Sequence, residues 1–330
     1  MPMPLFPQLT PGLVAAWQAA VGPDTTKPIK DQHVVSAVVL RQFHDPHRGK
    51  LERLNVKRPE AREKLVNAKR TGFARDFLTY ATVSAEARWQ AIENDLPAAL
   101  AAIDSGSEPL SDEHRATIMG IVALHMARNI RYSAVHDTTW RELVDRERAR
   151  SLTDPQLVAS LRREFRERYG LHAAGAESLG TAYDGAVQEA VDNQLPDRVA
   201  RFQVELKFFQ LSAWLRHASF QLLQPEGGEF IIGDSPTVLL DHDRQRFSGV
   251  WDLGLDSATH LAMPLRPDLA VRVALDGGGQ FTLDRIDETS VGEANELQVR
   301  TALHYVFYRP AEKRRQFVRR VLRRPSSRAA

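Results

Sequence analysis

Apolar positions along this chain follow two periods, helical through its middle and alternating toward its ends, and the change of period predicts its elements. A short extended segment around Lys30 to Phe43 leads into the turn-rich His44-Asp45-Pro46-His47-Arg48-Gly49, and Leu51, Leu54 and Val56 then alternate. That pattern predicts two strands of an N-terminal β-hairpin. From Ser84 to Ile103 the positions Ala87, Ala91, Leu96, Leu100 and Ile103 recur at helical spacing until Ser105-Gly106-Ser107 breaks the run. Ser111, followed by Asp112 and Glu113, is an N-cap with an acidic first turn, and opens a helix through Ile118, Ile121, Val122, Met126 and Ile130. Asp154-Pro155 predicts another start, with a helix to about Tyr169, and a long helix is expected over residues 196–223.

After Pro225 the period shortens. Phe230-Ile231-Ile232, Thr237 to Leu240, Leu261 to Leu265 and Leu269 to Val273 read as strands with a buried face. Asp287 to Leu303 returns to helical spacing, and Tyr305 to Tyr308 is a last short strand. The expected class is therefore α+β: an N-terminal β-hairpin part (residues 30–80), a helical middle (84–223) and a C-terminal β-rich part (225–310), packed as one unit. Residues 1–29 form an N-terminal extension and 311–330 a basic tail.

Composition narrows the chemistry more than the fold. The 330 residues include no cysteine, which excludes thiolate nucleophiles, Cys-ligated metal and thiol redox switching and is compatible with a reducing cytoplasm, the expected location. The N-terminus reaches its first basic residue only at Lys27 and is read as retained rather than as a secretory leader. The most apolar stretch, Gly120 to Ala127, contains His125 and falls far short of the ~18 residues of a membrane span, so no transmembrane segment is expected.

Charge is distributed unevenly. Against a total of +2, residues 312–330 carry eight Lys or Arg and one Glu, which leaves the body net acidic. As a helix, residues 311–324 align Phe317, Val318, Val321 and Leu322 in one stripe, and Lys313, Arg315, Arg319, Arg320 and Arg323 cover much of the rest. Two outcomes follow from that pattern: a terminal helix docked on the body through its apolar stripe, or a basic element that binds nucleic acid, an acidic protein or an anionic membrane surface.

Familiar catalytic signatures are absent, including the GxSxG elbow, the phosphate-binding P-loop and HExxH. His44-Asp45-Pro46-His47 supplies imidazoles and a carboxylate, but proline suits a turn and no third ligand has a fixed spacing, so no metal site is expected. Glu205-Leu206-Lys207 matches the ExK portion of a nuclease motif in a helical context that does not suit it. Two other segments carry more shape. Phe230 to Pro236 ends a buried strand at Gly233-Asp234-Ser235-Pro236, which places a carboxylate and a hydroxyl at the strand's exit. His125 and Arg128, at i and i+3 with Asn129 beside them, share a helix face.

In this order, Gln32-His33-Val34-Val35, Leu40-Arg41-Gln42-Phe43, Leu124 to Arg128, Phe230 to Pro236, Met263-Pro264-Leu265-Arg266-Pro267, Asn295 and Ala302 to Val306 resemble an uncharacterised family, DUF4238. The resemblance covers most of residues 30–310 and implies an α+β fold without implying an activity. Its matched polar residues, His33, Arg41, His125, Arg128, Asp234 and Ser235, lie in apolar segments, so mutual pairing is expected, with Asp234 accepting from Arg41, Arg128 or His33. Two functions fit such a set. One is a non-catalytic binding protein built around a buried network. The other is a phosphodiester hydrolase on nucleic acid, as in bacterial defence or a toxin system, with His33 or His125 as acid/base, Asp234 as orienter or metal ligand and Arg41 with Arg128 as phosphate clamp. The residues name no cofactor and no oligomeric state.

Overall fold

A computed structural model describes residues 31–75, 83–106, 110–131, 145, 148–149, 152–169, 180, 183–184, 188, 195–241, 247–249, 258–275 and 278–324. The expected N-terminal extension lies outside these residues. By internal contacts the chain divides into two compact units, residues 1–132 with 203–330, and residues 133–202.

The mixed α+β class holds. Among the described residues three sheets form: strand β1 (Asp31–His33) with β4 (Phe73–Arg75); β3 (Lys64–Val66), β2 (Leu51–Asn55), β12 (Tyr305–Tyr308) and β6 (Ile232–Gly233) in that order; and six strands in the order β11 (Phe281–Ile286), β5 (Ser219–Pro225), β10 (Leu269–Ala274), β9 (Ala258–Arg266), β7 (Val238–Asp241) and β8 (Phe247–Gly249). The helices are α1 (Ala37–Gln42), α2 (Val83–Asp104), α3 (Asp112–Ala127), α4 (Pro155–Tyr169), α5 (Leu195–Leu215), α6 (Glu288–Thr301) and α7 (Glu312–Arg323). Helices α3, α6 and α7 fall within a residue or a few of their expected positions.

The N-terminal part holds antiparallel strand pairs, but residues 30–43 and 51–56 do not pair with each other as expected. Residues 37–42 are helical, β1 pairs with β4, and β2 pairs with β3 and with β12, some 250 residues later. Val38, Val39 and Leu40 are β-branched or apolar enough to read as a strand, but packing overrides that propensity. Both Val34 and Val35 donate their backbone N–H to the carbonyl of Gly72, a residue at φ +71° whose absent Cβ would stand 2.5 Å from a Leu40 methyl. The chain must turn there, and only glycine fits.

The expected long helix 196–223 is also corrected. Helix α5 stops at Leu215, and β5 follows after a tight turn. From Ser219 the burial alternates, with Phe220 and Leu222 inside, and β5 is bonded on both sides: antiparallel to β10 and parallel to β11. Two flanking ladders satisfy its backbone groups where a helix would leave that sheet split. Within β9, Pro264 lacks an N–H, and a register shift lies opposite it between Leu269 and Ala270. Strand β11 was not foreseen, because half of its positions are exposed and its apolar content is low.

Helix α7 docks through its apolar stripe. Val318 and Val321 join a core cluster with Leu54, Ile231, Val299, Val306 and Tyr308, and Phe317 and Leu322 pack at its margin.

Candidate functional site

Helix α3 ends in a buried polar patch that faces the start of α1. The ring of His125, 1% exposed, has both nitrogens engaged by the backbone: Nε2 accepts the Ser36 N–H at 3.0 Å, and Nδ1 lies 2.8 Å from the Ile121 carbonyl. Because Nε2 must accept, Nδ1 carries the hydrogen, and the imidazole is the neutral Nδ1–H tautomer. Burial pushes its pKa down to about 4, the Ile121 carbonyl pulls it back, and the neighbouring Arg128 lowers it further.

One turn on, Arg128 donates to the His33 carbonyl and, at 3.4 Å, to Glu93 of α2, with its guanidinium 5.3 Å above the Trp89 ring. Glu93 also accepts the Ser36 hydroxyl at 2.7 Å. Ser36, Glu93, Arg128 and His125 therefore tie α1, α2 and α3 together. The His33 ring packs edge-on against Phe73 at 6.2 Å.

The Gly233-Asp234-Ser235-Pro236 segment is held from two sides. Asp234, 2% exposed, accepts the backbone N–H groups of Leu303 (2.7 Å), His304 (2.8 Å) and Tyr305 (2.9 Å), while its own N–H donates to the Tyr305 carbonyl. Burial raises its carboxyl above the ordinary range, against the pull of those three amides toward the ionised form. On the other side, two amides of α6 act as a surrogate strand. Asn295 accepts from the Ile231 N–H and donates to the Glu229 carbonyl; Gln298 accepts from the Gly233 N–H and donates to the Pro236 carbonyl. They cap the edge of β6, which among the described residues has no neighbouring strand on that side. A Cβ on Gly233 would stand 2.8 Å from the Gln298 carbonyl oxygen, so the close approach requires glycine.

Asn129 joins the two halves: its Nδ2 donates to Ser235 Oγ at 2.8 Å, and both residues are fully buried. The structure thus brings His125, Arg128, Asp234 and Ser235 into one connected region. The expected pairing of Asp234 is corrected, because the turn from α6 into β12 delivers three main-chain donors to its carboxylate and these occupy it in place of Arg41, Arg128 or His33. Arg41 does not join: it is exposed in the last turn of α1, near His44. Glu93 and Gln298 were missed, since a lone acidic or amide residue inside a helical run has no signal until the fold shows what faces it.

The other sequence candidates also find places. Asp45 accepts the N–H groups of His47 and Arg48, which closes the turn on itself, and His44 Nε2 accepts the Ala68 N–H from a distant segment. Among the described residues no group of three His, Asp or Glu could hold a metal ion. Glu205 and Lys207 are both buried on α5, and desolvation brings Lys207 down to about 8. On α7, Arg315 pairs with Glu52, Glu63 and Glu312, Arg319 with Glu63, and Arg323 with Glu60; Lys313 and Arg320 are exposed.

None of these residues lines the cavity on the six-stranded sheet. About 440 Å³ in volume, it is bordered by Ser219, Gln221, His260, Arg272, Gln280 and Thr282.

The family model described as "Protein of unknown function (DUF4238)" matches residues 31–312. The chain belongs to that family, whose description assigns no activity. No curated protein and no solved structure matches the chain. No helix among the described residues is long and apolar enough to cross a membrane.

Proposed function

We propose that this protein is a non-catalytic binding protein in which the His/Arg/Asp network is a clamp between distant segments. The observation that carries the reading is the state of its two best acid/base candidates. His125 spends both ring nitrogens on the backbone, and Asp234 spends its carboxylate on three main-chain amides. At 1% and 2% exposure, neither reaches a substrate without breaking the bonds that hold the fold. The tail supports the same reading, because Arg315, Arg319 and Arg323 neutralise glutamates of their own chain.

The test is incubation of the full chain with single- and double-stranded DNA and RNA, with and without Mg²⁺ or Mn²⁺, beside His33→Ala. No hydrolysis above buffer is expected from either protein. Cleavage by the wild type that His33→Ala abolishes overturns the reading in favour of a phosphodiesterase.

A further inference from the structure

We propose that α7 and the connection from β2 to β3 form one basic surface that binds the phosphate backbone of a nucleic-acid duplex. The proposal deepens the reading of the protein as a binder and rests on it.

Two segments far apart in sequence build the surface. Residues 45–70 carry nine Lys or Arg against four Asp or Glu, and residues 312–324 carry seven against one, in a chain whose total is only +2. The fold packs the second segment on the first. Arg319 Nε donates to the Pro59 carbonyl at 3.1 Å, its Nη2 donates to the Ala61 carbonyl at 3.5 Å, and Arg323 pairs with Glu60 at 3.0 Å. The connection is itself turned, with the Arg58 N–H donating to the Asn55 carbonyl and the Ala61 N–H to that of Arg58. Buried Val318 and Val321 anchor the helix from beneath. Like charges are thus held side by side on a fixed scaffold, which opposes folding and favours a polyanion.

The acids of the two segments are already engaged. Glu52, Glu60, Glu63 and Glu312 pair with Arg315, Arg319 or Arg323, and Asp45 accepts main-chain N–H groups of its own turn. Six other cations are exposed and have no ion-pair partner among the described residues: Lys57, Arg58 and Arg62 on the connection, and Lys313, Arg320 and Arg324 on the helix. The last three stand at i, i+7 and i+11, one solvent-side stripe about 16 Å long. Over that length a DNA duplex presents about ten phosphates. Arg58 and Arg62 flank the two carbonyls that Arg319 holds, so a second bank of cations runs beside the stripe. Lipid and protein partners fit less well, because both call for apolar anchors, and α7 turns Val318 and Val321 inward and packs Phe317 and Leu322 at the margin of the core.

The experiment follows fluorescence anisotropy of a labelled, mixed-sequence DNA duplex titrated with the full chain at several NaCl concentrations. Six phosphate contacts predict a log–log slope of about −5, with affinity falling roughly 10³-fold between about 50 and 200 mM salt. Neutralising Lys57, Arg58 and Arg62 together to Gln, or Lys313, Arg320 and Arg324 together to Gln, should each bring the slope to about −3 while leaving the circular dichroism spectrum unchanged. A second duplex of unrelated sequence should bind equally well, since phosphates carry no base information. Absence of binding at low salt, a slope that neither triple variant reduces, or tighter binding to single strands, to poly-glutamate or to phosphatidylserine-containing vesicles overturns the proposal. Failure here without nucleic-acid hydrolysis removes only this surface; duplex binding together with hydrolysis removes the non-catalytic reading and leaves the surface standing.

Discussion

His125 accepts the backbone N–H of Ser36 across 89 residues of sequence, at 3.0 Å and out of contact with water. The imidazole supplies the acceptor for the backbone N–H of the N-cap residue of α1. Ser36 has no side-chain capping bond, and its hydroxyl goes to Glu93 instead.

Acid should therefore loosen the clamp. The imidazole has a pKa near 6.5 when unfolded and about 4 when folded, so below pH 6.5 the unfolded chain binds more protons. Stability from this group is complete above pH 6.5 and lost as pH falls toward 4. The loss by pH 4.5 is about 2–3 kcal/mol. Urea melts of the wild type and His125→Asn at pH 7 and 4.5 measure it: the variant should be less stable at pH 7 and show a pH dependence smaller by about that amount. Equal pH dependence in both proteins would refute a neutral, clamped His125.

Asp234→Ala leaves three buried amides without an acceptor, which costs about 3 kcal/mol or more even if water enters. Asp234→Asn keeps the shape but turns an NH₂ toward a main-chain donor, so it should cost roughly half as much. Denaturation midpoints at neutral pH give both values. A variant with wild-type stability would show that the turn at residues 303–305 finds its acceptor elsewhere.

Breaking the link between α2 and α3 should couple to its partner. Glu93 and Arg128 have side chains 18% and 10% exposed, so Glu93→Gln is expected to cost about 2 kcal/mol, below the range of a fully sealed pair. In a double-mutant cycle with Arg128→Met, a coupling energy of about 1 kcal/mol is expected. Strict additivity would mean that the pair holds nothing together.

Removal of residues 312–330 should impair folding rather than free an arm. The deletion strips Val318 and Val321 from their cluster and leaves Glu52 and Glu63, with side chains only 6% and 9% exposed, without Arg315 and Arg319. Loss of a cooperative thermal transition in the truncated chain is the expected result. Among the described tail cations Lys313, Arg320 and Arg324 are exposed with no acidic partner, so their contribution to any binding of duplex DNA should have a log–log salt slope no steeper than about −3. A contribution several times larger would show the paired tail arginines on phosphates.

Local pattern determined much of this protein. The Ser111 cap and acidic first turn set the start of α3, the 287–303 period set α6, and the apolar stripe of 317–322 set a helix that must bury one face. These elements are legible because capping and amphipathic spacing are short-range properties. The polar residues that matter were also visible as oddities, since charge and amide groups in apolar segments demand partners wherever the chain goes.

Partners themselves were decided by the tertiary structure. The segment around Lys30 to Phe43 reads as extended, yet Ala37 to Gln42 folds as a helix, whose approach Gly72 and His125 hold by hydrogen bonds from afar. Asp234 looked like a counter-charge and is an acceptor for main-chain amides, since the link from α6 into β12 passes beside it. Gln221 reads as part of a long helix and His260 and Arg272 as ordinary residues at or beside strands, and only the register of β5, β9 and β10 places them around one cavity. Sequence specifies which groups need satisfying; strand pairing and helix docking, which act between residues distant along the chain, select what satisfies them.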